Sequence, residues 1–225
     1  MSVALRLALQ EERAADLSER LLRLLSPFTG KEAALDAGTG TGSVAFALAS
    51  HVAEVVGVDT RADYLDAGRP NAPANVRLVE GDVMELPFGY AAFDLVCCHR
   101  VLHHVRQPGL AVAELARVTR PGGRVFIADQ LGSVDPLVSL EMDRFERMRD
   151  PTHQRLLPDA DIRGFLDAND LVLLLSEVTH ESVDLEQRRA LAGFDEDERA
   201  RIRGPAPAQP YDIDVGWYVA RKSSV

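Results

Sequence analysis

The chain has 225 residues, 46% hydrophobic and 27% charged, which suits one globular domain with a sizeable core. Its formal charge of −10 and pI of about 5.1 argue against a dedicated nucleic-acid binder or a basic membrane-surface protein. No apolar run approaches the roughly 20 residues that span a bilayer. Met1–Gln10 has no cleavage-site pattern before Glu11-Glu12-Arg13, so a single cytoplasmic domain over 1–225 is expected, without membrane insertion.

Apolar positions at Ala14, Leu17, Leu21, Leu22, Leu24 and Leu25 predict a helix over 10–25, closed by Pro27 and Gly30. Strands and helices then alternate: strand 33–37, helix 42–50, strand 54–58, helix 61–68, strand 76–80, strand 93–98, helix 107–119 and strand 124–129. Such units with short connections predict a doubly wound, mostly parallel sheet covered by helices on both faces. Cys97 and Cys98 are neighbours in one strand and point to opposite faces, so they read as buried reduced thiols. After residue 130 the alternation stops. Helices are expected at 136–149, 159–168 and 184–203, a strand at 171–178 and a last strand at 212–220.

The chemistry concentrates at the ends of the predicted strands. Leu35-Asp36-Ala37-Gly38-Thr39-Gly40-Thr41-Gly42 reads as strand, tight turn and helix start, with glycines that let a ligand approach the main chain. Asp36 ends the first strand, Asp59 the second, and Asp82 follows the third, where ligands of wound sheets bind. A carboxylate at Asp59 can accept from both hydroxyls of a ribose. Asp82, farther out, could accept from the exocyclic amine of an adenine. These carboxylates suit a neutral or cationic cofactor better than a pyrophosphate. A dinucleotide fingerprint would space its third glycine differently, and no P-loop sequence is present.

Together with Asp82-Val83, Phe93-Asp94-Leu95-Val96 and Arg120-Pro121-Gly122-Gly123, the chain resembles the class I S-adenosylmethionine-dependent methyltransferases, most of all the small-molecule branch of the ubiquinone/menaquinone-biosynthesis type. The resemblance covers 31–130 strongly and is loose beyond. It implies a Rossmann-like seven-stranded sheet with an antiparallel last strand, and S-adenosyl-L-methionine as cofactor. Asp36 and the backbone of Gly38, Thr39, Gly40 and Gly42 would hold the methionine part. Asp59, with Thr60 beside it, would bind the ribose, and Asp82 with the Val83 N–H the adenine. Cys98 and His99 would face the methionine end and the sulfonium.

Methyl transfer is an in-line displacement, so positioning two partners supplies most of the catalysis and a base is needed only for an acceptor that must lose a proton. His99 and His103 in Cys98-His99-Arg100-Val101-Leu102-His103-His104 are the candidate bases, sharing a face if 99–104 is helical. His104 reads as a packed side chain, and a rival reading of this segment makes Arg100 a phosphate or carboxylate clamp. No third ligand lies near the histidines in sequence, so no metal is expected.

The segments 131–158 and 184–210 are expected to be helical lid or substrate-side insertions, with Leu137, Leu140, Met142, Phe145 and Met148 on an apolar face that lines a cavity or packs the lid down. Arg149 and His153 would meet substrate or solvent. The expected acceptor is a small molecule, methylated on oxygen, nitrogen or carbon, and lid-mediated homodimerisation stays open. One rival is a non-catalytic cofactor-binding or interaction protein of the same fold. The other is a nicotinamide-dependent oxidoreductase, disfavoured because the only Tyr-x-x-x-Lys spacing, Tyr218 with Lys222, lies in the tail.

Overall fold

The computed structural model describes residues 3–183 and 211–224. Helix α1 (Val3–Leu25) buries Leu21, Leu24 and Leu25 against the sheet. It begins well before the predicted residue 10, and its first turn has no acidic residue to announce a helix start. There follow β1 (Ala33–Ala37), α2 (Ser43–Leu48), β2 (Glu54–Asp59), α3 (Ala62–Gly68), β3 (Val76–Glu80), β4 (Phe93–His99), α4 (Pro108–Val118) and β5 (Thr119–Gln130). The alternation therefore stands as expected through β5. Then come α5 (Pro136–Arg149), α6 (Asp159–Asp167), β6 (Leu171–Val183) and β7 (Tyr211–Lys222). β6 runs past its predicted end at 178, because its pairing with β7 continues to Val183 opposite Tyr211. The predicted helix 184–203 and the insertion 184–210 lie outside the described residues.

The strands form one seven-stranded sheet in the order β3-β2-β1-β4-β5-β7-β6. Pairs among β1 to β5 are parallel, and β7 runs antiparallel to both of its neighbours. Two apolar layers flank the sheet. One, under α1 and α2, holds Ala34, Val55, Leu95, Cys97, Phe126, Ala128 and Trp217; the other, under α4 and α6, holds Leu35, Val56, Val96, Cys98, Ile127 and Tyr218. Cys97 and Cys98 thus divide between the two faces as a strand requires, and both thiols are free.

β2 and β3 extend to one side of β1, β4 and the later strands to the other. The order in which strands are added therefore reverses between the parallel β1 and β4, which opens a crevice at their carboxyl ends. Register sets Asp36 beside Gly57 and Cys97, and sets His99 beside Ala128, whose other neighbour is Trp217. After β5, Asp135 caps α5 by accepting from Leu137 N at 2.8 Å. The loop behind α5 returns to the crevice, where Gln154 N donates to His103 O at 2.9 Å.

Candidate active site

At the end of β1, Asp36 is 1% exposed and organises the turn from beneath. Its Oδ2 accepts from Thr39 Oγ1 at 2.6 Å and from Ala45 N, in the first turn of α2, at 3.0 Å. Gly42 precedes α2 and has no side chain to cap it, so the strand supplies the carboxylate instead. Burial raises the Asp36 pKa to about 6, against the lowering effect of those two bonds. Gly38, Gly40 and Gly42 take φ of 80°, 59° and 101°, the left-handed region that favours glycine. A Cβ on Gly38 would collide with Val101 and one on Gly42 with the Phe46 ring, while one on Gly40 would stand 2.8 Å from the Arg6 guanidinium.

Asp59 closes β2 against the same turn. Its Oδ2 accepts from Gly40 N at 2.8 Å and its Oδ1 from Arg61 N at 2.9 Å. Each oxygen keeps a lone pair, so the carboxylate is fixed in orientation yet open to two further donors. Thr60 is exposed beside it. Beyond β3, Asp82 Oδ1 accepts from Met84 N at 2.8 Å in an Asx turn. Among the described residues the Val83 N–H finds no protein acceptor, although the Val83 side chain is buried. Such a donor asks for a ligand or water. Helix α4 holds this segment in place, Glu114 accepting from Leu86 N at 2.8 Å and Arg117 donating to Phe88 O at 2.8 Å.

α1 crosses above the turn. The Thr41 hydroxyl donates to Gln10 Oε1, and Arg6, four residues earlier, has no ion-pair partner among the described residues.

β4 ends at His99, and Arg100 then adopts a left-handed φ of 57° while its N–H donates to Ala128 O at 2.7 Å. The conditional helix over 99–104 therefore does not form; only Leu102–His104 makes a 3-10 turn. His99 stays on the α1 side, its ring 5.7 Å from that of Trp217. Burial, with Arg100 and Arg6 nearby, pushes its imidazole down to about 3. His103 turns to Asp129, whose side chain alternates with that of Ala128 and so lies on the other face of the sheet. His103 Nδ1 meets Asp129 Oδ1, and its backbone N donates to Asp129 Oδ2 at 3.1 Å. Burial alone would raise Asp129, but the His103 ring together with the N–H groups of Gln130 and His103 holds the carboxyl below its usual range.

Two more imidazoles adjoin His103. The His104 ring lies 4.1 Å away and bonds Thr152 Oγ1 through Nδ1 at 3.0 Å. Burial and the neighbouring His103 push His104 down to about 4. The His153 ring lies 5.7 Å from that of His103, with Nε2 at 2.8 Å from Asp143 Oδ1 of α5.

Comparison with known proteins fits this geometry. Residues 35–127 match the family described as a methyltransferase domain. The chain is 32% identical over 141 residues to the uncharacterized methyltransferase YcgJ of Bacillus subtilis, covering 61% of this chain and 56% of YcgJ. Over residues 35–127 the chain is therefore similar to methyltransferase domains. Demethylmenaquinone methyltransferase of Clavibacter sepedonicus is 34% identical over 137 residues, 60% of this chain and 56% of that protein. The match thus spans little more than half the length of these relatives. The crystal structure of YcgJ superposes with a TM-score of 0.80 at 23% identity, covering 92% of this chain and 99% of that one. The [4+2]-cyclase SpnF shares the fold at a TM-score of 0.67 and 21% identity, over 93% of this chain and 82% of SpnF.

In this chain Asp36, Gly38, Thr39, Gly40, Gly42, Asp59, Thr60, Asp82 and Val83 line up along the carboxyl ends of β1, β2 and β3. Cys98 does not join them through its thiol, which is 1% exposed and packs in the α4 layer, away from His99. His99 and His103, which would share a face were 99–104 helical, lie on opposite faces. Arg100, an anion clamp in the rival reading, pairs with Glu181 at 2.6 Å. Leu137, Leu140 and Met148 neither line a cavity nor pack α5 down, being 74%, 61% and 40% exposed; Phe145 of the same helix is buried. His153, expected to meet substrate or solvent, is buried. Sequence reasoning missed Arg6, Asp129 and Asp143. Asp129 was within reach, since it ends β5 as Asp36 ends β1; Arg6 and Asp143 sit on helices with no local motif.

Proposed function

We propose that the protein transfers the methyl group of S-adenosylmethionine to a small-molecule acceptor. The observation that carries this reading is the Asp59 carboxylate, fixed by Gly40 N and Arg61 N, with a lone pair free on each oxygen. Two neighbouring ribose hydroxyls match that pair of acceptors. The left-handed glycine turn gives backbone access for the methionine part, and Asp82 with the Val83 N–H, which has no acceptor among the described residues, suits an adenine edge. Arg6, beside Gly40 and without an ion-pair partner among the described residues, suits the cofactor's carboxylate. When bound, the cofactor supplies an electrophilic methyl on a cationic sulfonium.

The chain's residues then act by holding and excluding. The glycine turn and Asp59 orient the cofactor, α1 covers it, and the loop after α5 bounds the acceptor side. His99 stays uncharged, which keeps a second positive charge away from a sulfonium. The expected lid role of 131–158 fits the return of residues 150–157 to the His103 turn. No described helix is long and apolar enough to cross a membrane, and the acidic composition and free thiols agree with the proposed cytoplasmic setting.

Calorimetric titration tests the reading. S-adenosylmethionine should bind with micromolar affinity, and Asp59→Ala should abolish binding while leaving the thermal midpoint close to that of the parent. Absence of binding by the parent protein overturns it. Binding without turnover of any acceptor would favour the non-catalytic rival, which the shared fold of the cyclase SpnF keeps relevant.

A further inference from the structure

The three-histidine cluster is more elaborate than cofactor binding requires. Five side chains from separate segments meet there: His103 and His104 from the turn after β4, Asp129 from β5, Asp143 from α5 and His153 from the loop behind it. We propose that His103, oriented by Asp129 and packed by His104 and His153, is the base that deprotonates a neutral acceptor bearing an ionisable hydroxyl, and that this oxygen receives the methyl. The inference rests on the methyltransferase reading above and adds to it the class of acceptor.

A buried carboxylate can only accept, so Asp129 fixes the proton of neutral His103 on Nδ1 and leaves the lone pair on Nε2. The His103 side chain keeps 13% exposure while that of Asp129 has 2%, so the ring can be reached and its anchor cannot. His153 and Asp143 are 1% and 7% exposed, which makes them a support that ties α5 to the base. The cluster adjoins the cofactor side of the crevice. Val101, two residues before His103, occupies the space a Cβ on Gly38 would need, and Asp150 is near enough to influence both His104 and Tyr64.

The surroundings then select the acceptor. A base is superfluous for a carboxylate, which is already ionised, and the one arginine on this turn, Arg100, is committed to Glu181. An ammonium would need an unspent carboxylate. Asp129 is taken by His103, Asp143 by His153 and Leu156 N, and Asp150 by Thr152, through both its hydroxyl at 2.7 Å and its backbone N at 3.0 Å. A neutral hydroxyl fits a base that has no spare counter-charge beside it. Among the described residues no group of three or more His, Cys, Asp or Glu side chains is arranged to hold a metal ion, so the rings are read as acid–base and packing groups. The step balances: Nε2 takes the hydroxyl proton, the oxygen's freed pair forms the C–O bond as the methyl's C–S bond breaks, and sulfur keeps that pair. The proton passes from His103 to solvent before the next turnover.

The test uses two phenols of similar shape, a nitrophenol that ionises readily and absorbs visible light as its anion, and an alkylphenol that ionises weakly. With S-adenosylhomocysteine present, the parent protein should bind the nitrophenol as its anion, visible in the absorption spectrum, at a pH where free nitrophenol is mostly protonated. His103→Gln should remove that shift. Turnover of the alkylphenol should fall about 100-fold or more in His103→Gln, while the nitrophenol supplied above its own pKa recovers most of its rate. Asp129→Asn should lower the alkylphenol kcat with little change in KM and the same recovery. Equal losses for both phenols overturn the base role, and so does methylation confined to amines, thiols, carboxylates or carbon. Cofactor binding with no phenol methylated overturns the acceptor class and leaves the methyltransferase reading standing; absence of cofactor binding overturns both.

Discussion

The guanidinium of Arg6 lies against Gly40, so that the first turns of α1 form one wall of the glycine turn. The glycine is needed there twice over, for its φ of 59° and for the room the arginine occupies. Because Arg6 has no ion-pair partner among the described residues, its charge is free for an anionic group of a ligand. Arg6→Ala should weaken S-adenosylmethionine binding about tenfold, the lower range for a charge-assisted hydrogen bond. Arg6→Lys should recover part of the loss. Calorimetry at low and high salt checks this, and an unchanged Kd for Arg6→Ala would remove Arg6 from the site.

Gly38 and Gly30 separate two costs that glycine substitutions mix. Both have a left-handed φ, 80° and 75°, but a Cβ on Gly30 meets nothing within 4 Å while one on Gly38 runs into Val101. Gly30→Ala should cost about 1 kcal/mol from backbone strain alone. Gly38→Ala should cost about 2–4 kcal/mol, with part recovered in Gly38→Ala/Val101→Ala. Denaturant unfolding of the three variants measures the difference.

These features show where the sequence was readable. Strand ends and glycine turns announce themselves through short-range pattern, so the fold through β5 and the places of Asp36, Asp59 and Asp82 could be read directly. The turn after β4 could not. Whether 99–104 continues as a helix depends on Arg100 adopting φ 57° and bonding Ala128 O, a contact with a strand 28 residues away in sequence. That one kink decides that His99 and His103 part company across the sheet. The α5 face misled for a related reason: helical spacing at Leu137, Leu140 and Phe145 says which residues share a face, and not what covers it.

Asp36 should make the fold less stable as pH rises through the acid range. Its folded pKa of about 6 lies above the ordinary carboxyl value of 3.8, so between those limits the folded state holds more proton than the unfolded state. Stability from this group is complete below the unfolded pKa and is lost on approaching the folded one. Asp36→Asn keeps an oxygen for Thr39 and Ala45 N and never ionises. It should gain on the order of 1–3 kcal/mol over the parent at about pH 8, and little at about pH 4. Thermal melts at the two pH values check the sign; a gain larger in acid would contradict it.

His99 works in the opposite direction. Its folded pKa of about 3 lies below the ordinary imidazole value of 6.5, so between those limits the unfolded state binds the extra proton and acid favours unfolding. Stability is complete above the unfolded pKa and falls as pH drops toward the folded one. His104, pushed down to about 4, adds to the same trend. Neither can be replaced without touching the crevice, so the measurement is comparative. His99→Phe keeps an aromatic ring beside Trp217 and removes the titration; its stability should change less between about pH 6.5 and pH 5 than the parent's, by on the order of 1–2 kcal/mol. The ring also bears on function. If His99 served as a general base, its removal would displace the acid limb of the rate profile. As a neutral wall of the sulfonium pocket it should instead alter cofactor affinity and leave that limb unmoved, and a rate profile for His99→Phe recorded beside one for His103→Gln decides between the two roles.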